Sequence, residues 1–488
     1  MNEYQATIGL ETHIQLNTKT KAFCSCKTDS WGEPPNSSIC PICTGQPGAL
    51  PSPNTEMIRK AVRLCLAVHA EINRTSFFDR KNYLYADMPK GYQITQNDQP
   101  IGKGGYLDIE TEDGKPVRVR IDNLHMEEDA GKTRNEAGVR LIDLNRSGIP
   151  LVEMVTKPDL HSAEEAAAYM ICLRQLVRWI GISEGNMEKA QLRCDANVSV
   201  APAGSDIPGQ KCEIKNINSI DALRKAISYE IDRQIRELEA GHKIEQWTIE
   251  WDNDAKELRK MRSKENAVDY RFFREPDLMP VIVTDEMIGS IRQEMPELPW
   301  ERYSRFMEQY RLGSYDTKLL NTDRETSEYF EKAVKSYAGD PKRISNWMLN
   351  EILRLMHEKQ KGADELVILP RDLAEIVCLV DTRTVSAAVG KQLIDLTEET
   401  GQAPAAIIRE RNLAMVSDDA AIREICEKIV KGHPQEAAAY RAGKISLLAW
   451  FTGQLMRETK GKADAKRAGQ ILKELLEPAG DNSQSSPE

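Results

Sequence analysis

The sequence predicts an α+β fold, with strand pattern running to about residue 290 and helix pattern from there onward. Two observations carry the prediction. Apolar residues recur with period two in the early stretches, beginning with Ile8, Leu10, Ile14 and Leu16, the signature of strands buried on one face. Beyond Pro296 and Pro299 the recurrence changes to the three-and-four spacing of helices.

At 488 residues the chain is longer than one core sustains, so two or three domains are expected. A hydrophobic content of 40% with 29% charged residues describes a globular protein, and no apolar run approaches membrane-spanning length. The first residues enter strand pattern without a basic-then-apolar leader, so a cytoplasmic protein is expected. The ten cysteines would then be reduced, and closely spaced ones read as ligands before disulfides. A net charge of -10 argues against general nucleic-acid binding while leaving room for a local basic surface.

In the first strand, Gly9, Glu11, His13 and Gln15 share the face opposite the apolar one. A carboxylate and an imidazole side by side are costly to desolvate unless a hard cation offsets them. A solvent-facing strand edge is the plainer account of an isolated E-x-H; further carboxylates on later strands count against it. Cys24-Ser25-Cys26 and, after a thirteen-residue gap, Cys40-Pro41-Ile42-Cys43 put four thiols on two tight turns, as tetrahedral zinc requires. Four protein ligands leave no open position, so that metal would brace a loop.

Residues 54–70 read as a helix with Met57, Ala61, Leu64, Cys65 and Val68 on one stripe. Residues 77–93 interleave cations with aromatics, among them Arg80, Lys81, Tyr83, Tyr85, Lys90 and Tyr92, a pattern suited to stacking on bases and meeting phosphate. In 117–127, Val119 and Ile121 give way to Asn123, His125 and Glu127 on the same parity, and Glu127-Glu128-Asp129 bring three carboxylates to a strand end. Glu153 stands alone in the apolar run 149–155, where a partnerless carboxylate is costly and a ligand role is the simpler account. Ser162 and Glu165 form a capping box ahead of a helix stopped by Gly181. Residues 191–200 turn Arg193, Asp195, Asn197 and Ser199 outward, and Lys211, Glu213 and Lys215 align on the next strand. These two strands could grip a phosphorylated ligand or only pair their own charges. A helix over 219–238 and the basic run 259–264 follow. A G-x-x-x-x-G-K-[ST] phosphate loop is absent, so any ATP chemistry must use carboxylates on a sheet.

Helices are then expected over 300–310, 323–338 and 341–359, with shorter ones from Val385. Between Arg441 and Lys473 eight Lys/Arg face two acidic residues, a local basic surface suited to a phosphate backbone. Residues 481–488, rich in Ser, should be disordered.

Taken together, IGLETHIQL, FCSC…CPICTGQPGALP, DRKNYLYADMPKGYQITQ, HMEEDAGK, LNRSGIPLVEMV, GNMEKAQLRCDANVSV, KCEIKNINS and MRSKENAVDYRFFREPDL resemble the B-subunit family (GatB) of the bacterial aspartyl/glutamyl-tRNA amidotransferases. The resemblance implies an antiparallel-sheet cradle over 1–292, similar to glutamine synthetase and the guanidino kinases, then an all-helical domain over 293–405. A small helical tail domain like the free-standing YqeY proteins would occupy 406–478, and 479–488 would be disordered. It implies an ATP-dependent amidoligase that phosphorylates the side-chain carboxylate of Asp or Glu misacylated onto tRNA. An amidase A subunit would supply ammonia, and a small C subunit would complete a heterotrimer. The resemblance assigns Mg²⁺ to Glu11, His13, Glu127 and Glu153, with Glu128 beside them, and structural Zn²⁺ to Cys24, Cys26, Cys40 and Cys43. Arg80, Lys81, Lys90, Asp195, Lys211 and Lys215 would face ATP or the acceptor end, and Lys444, Arg457, Lys460 and Lys462 would contact tRNA. Thr12 and Ala86 stand where the family usually carries Val and Pro. An archaeal E-type relative would carry an inserted synthetase-like domain after the cradle, which is not visible. A non-catalytic tRNA-binding scaffold is the rival reading, against which the acidic set counts, because carboxylates repel RNA.

Overall fold

The computed structural model describes residues 3–205, 207–252, 255, 257–263, 270–415, 419–459 and 463–477. The chain divides into two compact units, Met1–Pro299 and Trp300–Glu488. The first is built on a ten-stranded sheet whose central member is Tyr4–Gln15. On one side of it lie Leu192–Pro202, Cys212–Ile217, Trp247–Asp252 and Glu257–Ser263; on the other lie Pro150–Thr156 and Pro116–Glu128, then short edge strands.

The alternation read from the sequence is the alternation found: Ile8, Leu10, Thr12 and Ile14 are fully buried, while Glu11 and His13 face away. The buried face is covered by helices Thr55–Ala67, Ala163–Trp179 and Ile220–Glu239. Asn54 caps the first helix by accepting from the Glu56 and Met57 amides, and Ser162 caps the second through the Glu165 amide. Glu165 reaches back one residue further than a capping box demands, to the His161 amide at 2.7 Å. Thr12 lies between the sulfurs of Met170 and Cys194, at 3.8 and 4.0 Å, soft partners for the polar member of this strand's core face.

One pair departs from the expected antiparallel sheet. Cys212–Ile217 and Trp247–Asp252 run parallel, which is possible because the 20-residue helix Ile220–Glu239 lies between them as the crossover.

A β-bulge in Pro116–Glu128 decides which residues share a face with Glu11 and His13. Val155 pairs with Asn123, but Thr156 pairs with Ile121, so Asp122 is an extra residue without an opposite number. Before it Val119 and Ile121 point into the core; after it Leu124 and Met126 do, and Asn123, His125 and Glu127 turn to the other side. The bulge thus converts a same-parity run into two runs on opposite faces.

The second unit is helical, as expected. The segment 341–359 is one helical run interrupted by a π-helical turn, Met348–Ile352. Its apolar residues form two clusters, one from Phe306 to Ile408 and one from Ile422 to Leu476. Helix Pro404–Glu410 packs Ile407 and Ile408 into the first cluster. Residues Lys264, Lys460, Lys462 and 481–488 lie outside the described residues. Among the described residues no helix is long and apolar enough to cross a membrane.

Because Leu10 sits at the centre of the covered face, Leu10→Ala is expected to cost about 2–5 kcal/mol, measured as a lower midpoint in denaturant titration. An unchanged midpoint would mean the sheet's covered face is not packed as described.

Candidate active site and a four-cysteine knuckle

Across four strands, register places Arg193, His13, Glu153 and His125 side by side: His13 opposes both Arg193 and Glu153, and Glu153 opposes His125. The next site-face position along the first strand sets Glu11 opposite Asp195. The sheet thereby gathers side chains from residues 11 to 195 without relying on loops.

Glu153 lies between two imidazoles, its Oε2 3.4 Å from His13 Nε2 and 3.0 Å from His125 Nε2. Glu127 Oε1 is 3.4 Å from the same His13 nitrogen. Both carboxylates are nearly removed from water, at 2% exposure for Glu127 and 9% for Glu153. Burial pushes the Glu153 carboxyl up, but His13 and His125 outweigh it and hold it below the ordinary carboxylate range. Burial raises Glu127, and the charge of Glu153 adds to that rise against the pull of His13. For His125 burial acts downward, and Glu153 reverses it so that the imidazole lies above its ordinary value. Asp122 accepts from the Asn123 side-chain amide, which turns Asn123 Oδ1 toward His125 Nδ1 at 3.0 Å. With that ring nitrogen donating, His125 Nε2 must carry a proton or face a cation.

His13, Glu127 and Glu153 bring one donor atom each to within 4.8 Å of one another. Two hard carboxylate oxygens would suit a divalent cation such as Mg²⁺ or Mn²⁺, and the imidazole would be the softer third donor. His125 is not among the ligands expected from sequence. Its parity with Asn123 and Glu127 is visible there, but only the bulge at Asp122 shows that it faces Glu153.

Other expected site residues of the first unit differ in where they lie. Glu11 accepts from Asn197 at 2.9 Å, and burial with Glu153 nearby raises its carboxyl above the ordinary range. Lys215 bridges Asp195 and Glu213 at 2.6 and 2.9 Å; burial acts to lower its ammonium, and those carboxylates raise it instead. Lys81 sits over the Tyr270 ring at 4.8 Å and pulls on both Glu127 and Glu153. The structure does not bring the remaining residues onto the cluster. Glu128 is turned from it, bound to Lys90 and to the Ile94 amide. Arg80 makes two 2.7 Å bonds to the buried carboxylate of Glu275 and lies over Tyr92. Lys211 is exposed just ahead of its strand.

The four cysteines do converge. Their sulfurs all lie within 4.8 Å of one another, with Cys40 and Cys43 3.9 Å apart. Tetrahedral zinc with 2.3 Å bonds separates its sulfurs by about 3.8 Å, so the knuckle fits that ion. A second observation supports the fit. Lys21 is fully buried, its Nζ 3.8 Å from Cys43 Sγ and 2.8 Å from the Ser38 carbonyl, and among the described residues no carboxylate pairs with it. A buried ammonium needs a counter-charge, and metal-bound thiolates supply one. The hydrogen bond from Cys24, with Lys21 assisting, pulls Cys43 down to about 5.

With this geometry established, comparison with known proteins is decisive. The model of the GatB/GatE catalytic domain matches residues 6–289. The chain belongs to the GatB family. A second GatB domain matches residues 328–476. The B subunit of the aspartyl/glutamyl-tRNA(Asn/Gln) amidotransferase of Persephonella marina is 44% identical over 97% of this chain and 100% of its own. The same-named proteins of Thermotoga maritima and Crocosphaera subtropica are also 44% identical, each over 97% of this chain and 99% and 98% of their own lengths.

Two outcomes follow. Replacing Cys40 and Cys43 together with Ser is expected to remove about one zinc per chain by elemental analysis and to lower the thermal midpoint; native protein without zinc would contradict the knuckle assignment. Arg80→Ala strands the buried Glu275 carboxylate and should cost about 3–5 kcal/mol in thermal unfolding. Lost activity at unchanged stability would return Arg80 to the ligand-binding set.

Proposed function

We propose that this protein is the B subunit of a glutamine-dependent tRNA amidotransferase and that the His13/Glu127/Glu153 cluster is its kinase site. The substrate is misacylated Asp-tRNA(Asn) or Glu-tRNA(Gln), and the protein works in the cytoplasm. Its side-chain carboxylate attacks the γ-phosphorus of ATP, ADP leaves, and ammonia from a partner amidase subunit displaces phosphate to give the amide. A small C subunit completes the heterotrimer. The observation carrying this reading is the convergence of carboxylates and imidazoles from separate strands on the sheet face opposite the helices, where Glu127 and Glu153 are nonetheless removed from water and a cation is the simplest offset for their charge.

Mg²⁺ held by His13, Glu127 and Glu153, with Glu11 one position along the strand, would neutralise charge on the transferring phosphate. Everything else is the work of the chain. His125 and Asn123 fix the orientation of Glu153 from the far side. Lys81 offers an ammonium beside the cluster for phosphate. A substrate carboxylate is already a nucleophile, so positioning and fixed charge supply the acceleration without a general base. The domain scheme proposed is a cradle over 1–292 akin to glutamine synthetase and the guanidino kinases, a helical domain over 293–405 whose core also takes in Ile407 and Ile408, and a YqeY-like tail over 406–478. Exposed Lys444 and Arg457, with Lys460 and Lys462, are proposed to dock the tRNA backbone.

The test is tRNA-dependent ATP hydrolysis in the reconstituted complex. His13→Ala and Glu153→Gln are each expected to reduce it at least about a hundredfold, the scale of removing a preorganised charge group, with tRNA affinity nearly intact. ATP hydrolysis at the wild-type rate in both variants would sink the assignment, and tRNA affinity lost with it would favour a scaffold.

A further inference from the structure

Arg193 stands next to the cluster, and the ligand assignment gives it no part. It opposes His13 across the strands, on the side away from Glu153, so its side chain shares the site face with the His13 imidazole. A guanidinium carries five N–H donors. Arg193 spends one of them, from Nη2 to Asp129 Oδ1 at 3.1 Å, and its Nε is buried with no hydrogen-bond partner among the described residues. Two other arginines of this unit are committed: Arg80 to the Glu275 carboxylate, and Arg146 to the carbonyls of Ala130 and Gly131 at 3.0 and 2.8 Å. Buried donors left unpaired on a cation are costly, and an incoming oxyanion would satisfy them.

Asp129 holds the guanidinium in place. It is buried two residues beyond Glu127, its Oδ1 also accepts from the Ala130 amide at 2.9 Å, and Arg146 Nε lies 3.5 Å from its Oδ2. Arg193 is thus pinned at one nitrogen, in the field of Asp129, Glu127 and Asp195, while 32% of its side chain stays exposed. A divalent ion held by His13, Glu127 and Glu153 would have this second cation as a neighbour, and the two repel unless an anion comes between them. We propose that Arg193 is a clamp on the γ-phosphate of ATP, with Asp129 as its positioning residue. The inference rests on the proposed kinase site. As an oxygen of the substrate carboxylate bonds to the γ-phosphorus, the bond to the β,γ-bridging oxygen breaks, its electron pair leaves with ADP, and no proton moves. The γ-oxygens keep their charge throughout, and the free donors of the planar fork stay with them from the side opposite Glu153. A lysine ammonium at this position would offer charge without the fork.

The experiment uses the reconstituted complex with Mg²⁺ and compares affinity for ADP with affinity for the non-hydrolysable β,γ-imido analogue of ATP, alongside tRNA-dependent ATP hydrolysis. Arg193→Ala and Arg193→Lys are each expected to weaken the analogue about ten- to a hundredfold, the scale of one charge-assisted hydrogen bond, and to leave ADP, which lacks the γ-phosphate, unaffected. Hydrolysis should fall at least about a hundredfold in Arg193→Ala. Free guanidinium ion should restore part of it, and methylammonium, which lacks the fork, should not. Asp129→Asn should weaken the analogue more than ADP. If Arg193→Ala does not fold, Arg193→Lys, which keeps the positive charge beside Asp129, carries the test. Equal weakening of analogue and ADP, hydrolysis at the wild-type rate in the Arg193 variants, or rescue by neither cation overturns the clamp. Clamp and kinase site fail separately: unaltered Arg193 variants beside an inactive His13→Ala remove the clamp alone, whereas wild-type hydrolysis in His13→Ala and Glu153→Gln removes the kinase site, and a selective loss of the analogue in the Arg193 variants would still keep Arg193 as a γ-phosphate contact.

Discussion

Glu153 in its bed of imidazoles is the interaction on which the site depends. A carboxylate in the middle of an otherwise apolar strand is tolerable only if opposite charge meets it, and His13 and His125 do so from the two flanking strands. The same pairing makes the site sensitive. Glu127 is buried against the same His13 nitrogen, so two carboxylates share two imidazoles and some protons in a place with little water. A divalent ion with both carboxylates as ligands would relieve that arrangement.

The sheet supplies the precision. Register fixes which residues are neighbours, and a one-residue slip of a strand would send its site-face residues to the core side. Pro116–Glu128 needs both faces along its length, core residues Val119 and Ile121 first and site-face residues His125 and Glu127 later, and the extra residue Asp122 makes the change. Asp122 also accepts from the Asn123 amide that orients His125, so the residue that makes the bulge also aligns a group near the cluster. The three covering helices hold the far face still, which lets the near face carry charge.

How much of this the sequence discloses varies with how local the signal is. Strand parity in Tyr4–Gln15 is a local property and is legible residue by residue, as are the cap at Ser162 and the pairing of the two cysteine turns. His125 stays hidden because a bulge depends on the partner strand's register, which no single strand displays. Arg80, Lys90 and Glu128 carry the right chemistry for ligand binding, yet their charges are spent on Glu275 and on each other. Sequence gives their charge but not its partner. The parallel pair at Trp247–Asp252 escapes the sequence for a similar reason, since the crossover helix is visible there and the strand it leads to is not. Family resemblance, shown by the match over 6–289 and by relatives at 44% identity, covers nearly all of the first unit without distinguishing these cases.

The central claim, that His13, Glu127 and Glu153 seat a divalent ion, is tested most directly by titrating the purified chain with Mn²⁺ and following the free ion by electron paramagnetic resonance. The account predicts a saturable site in the wild type that is lost in both His13→Ala and Glu153→Gln while the folded structure is retained. Mn²⁺ uptake indistinguishable among the three proteins would contradict it.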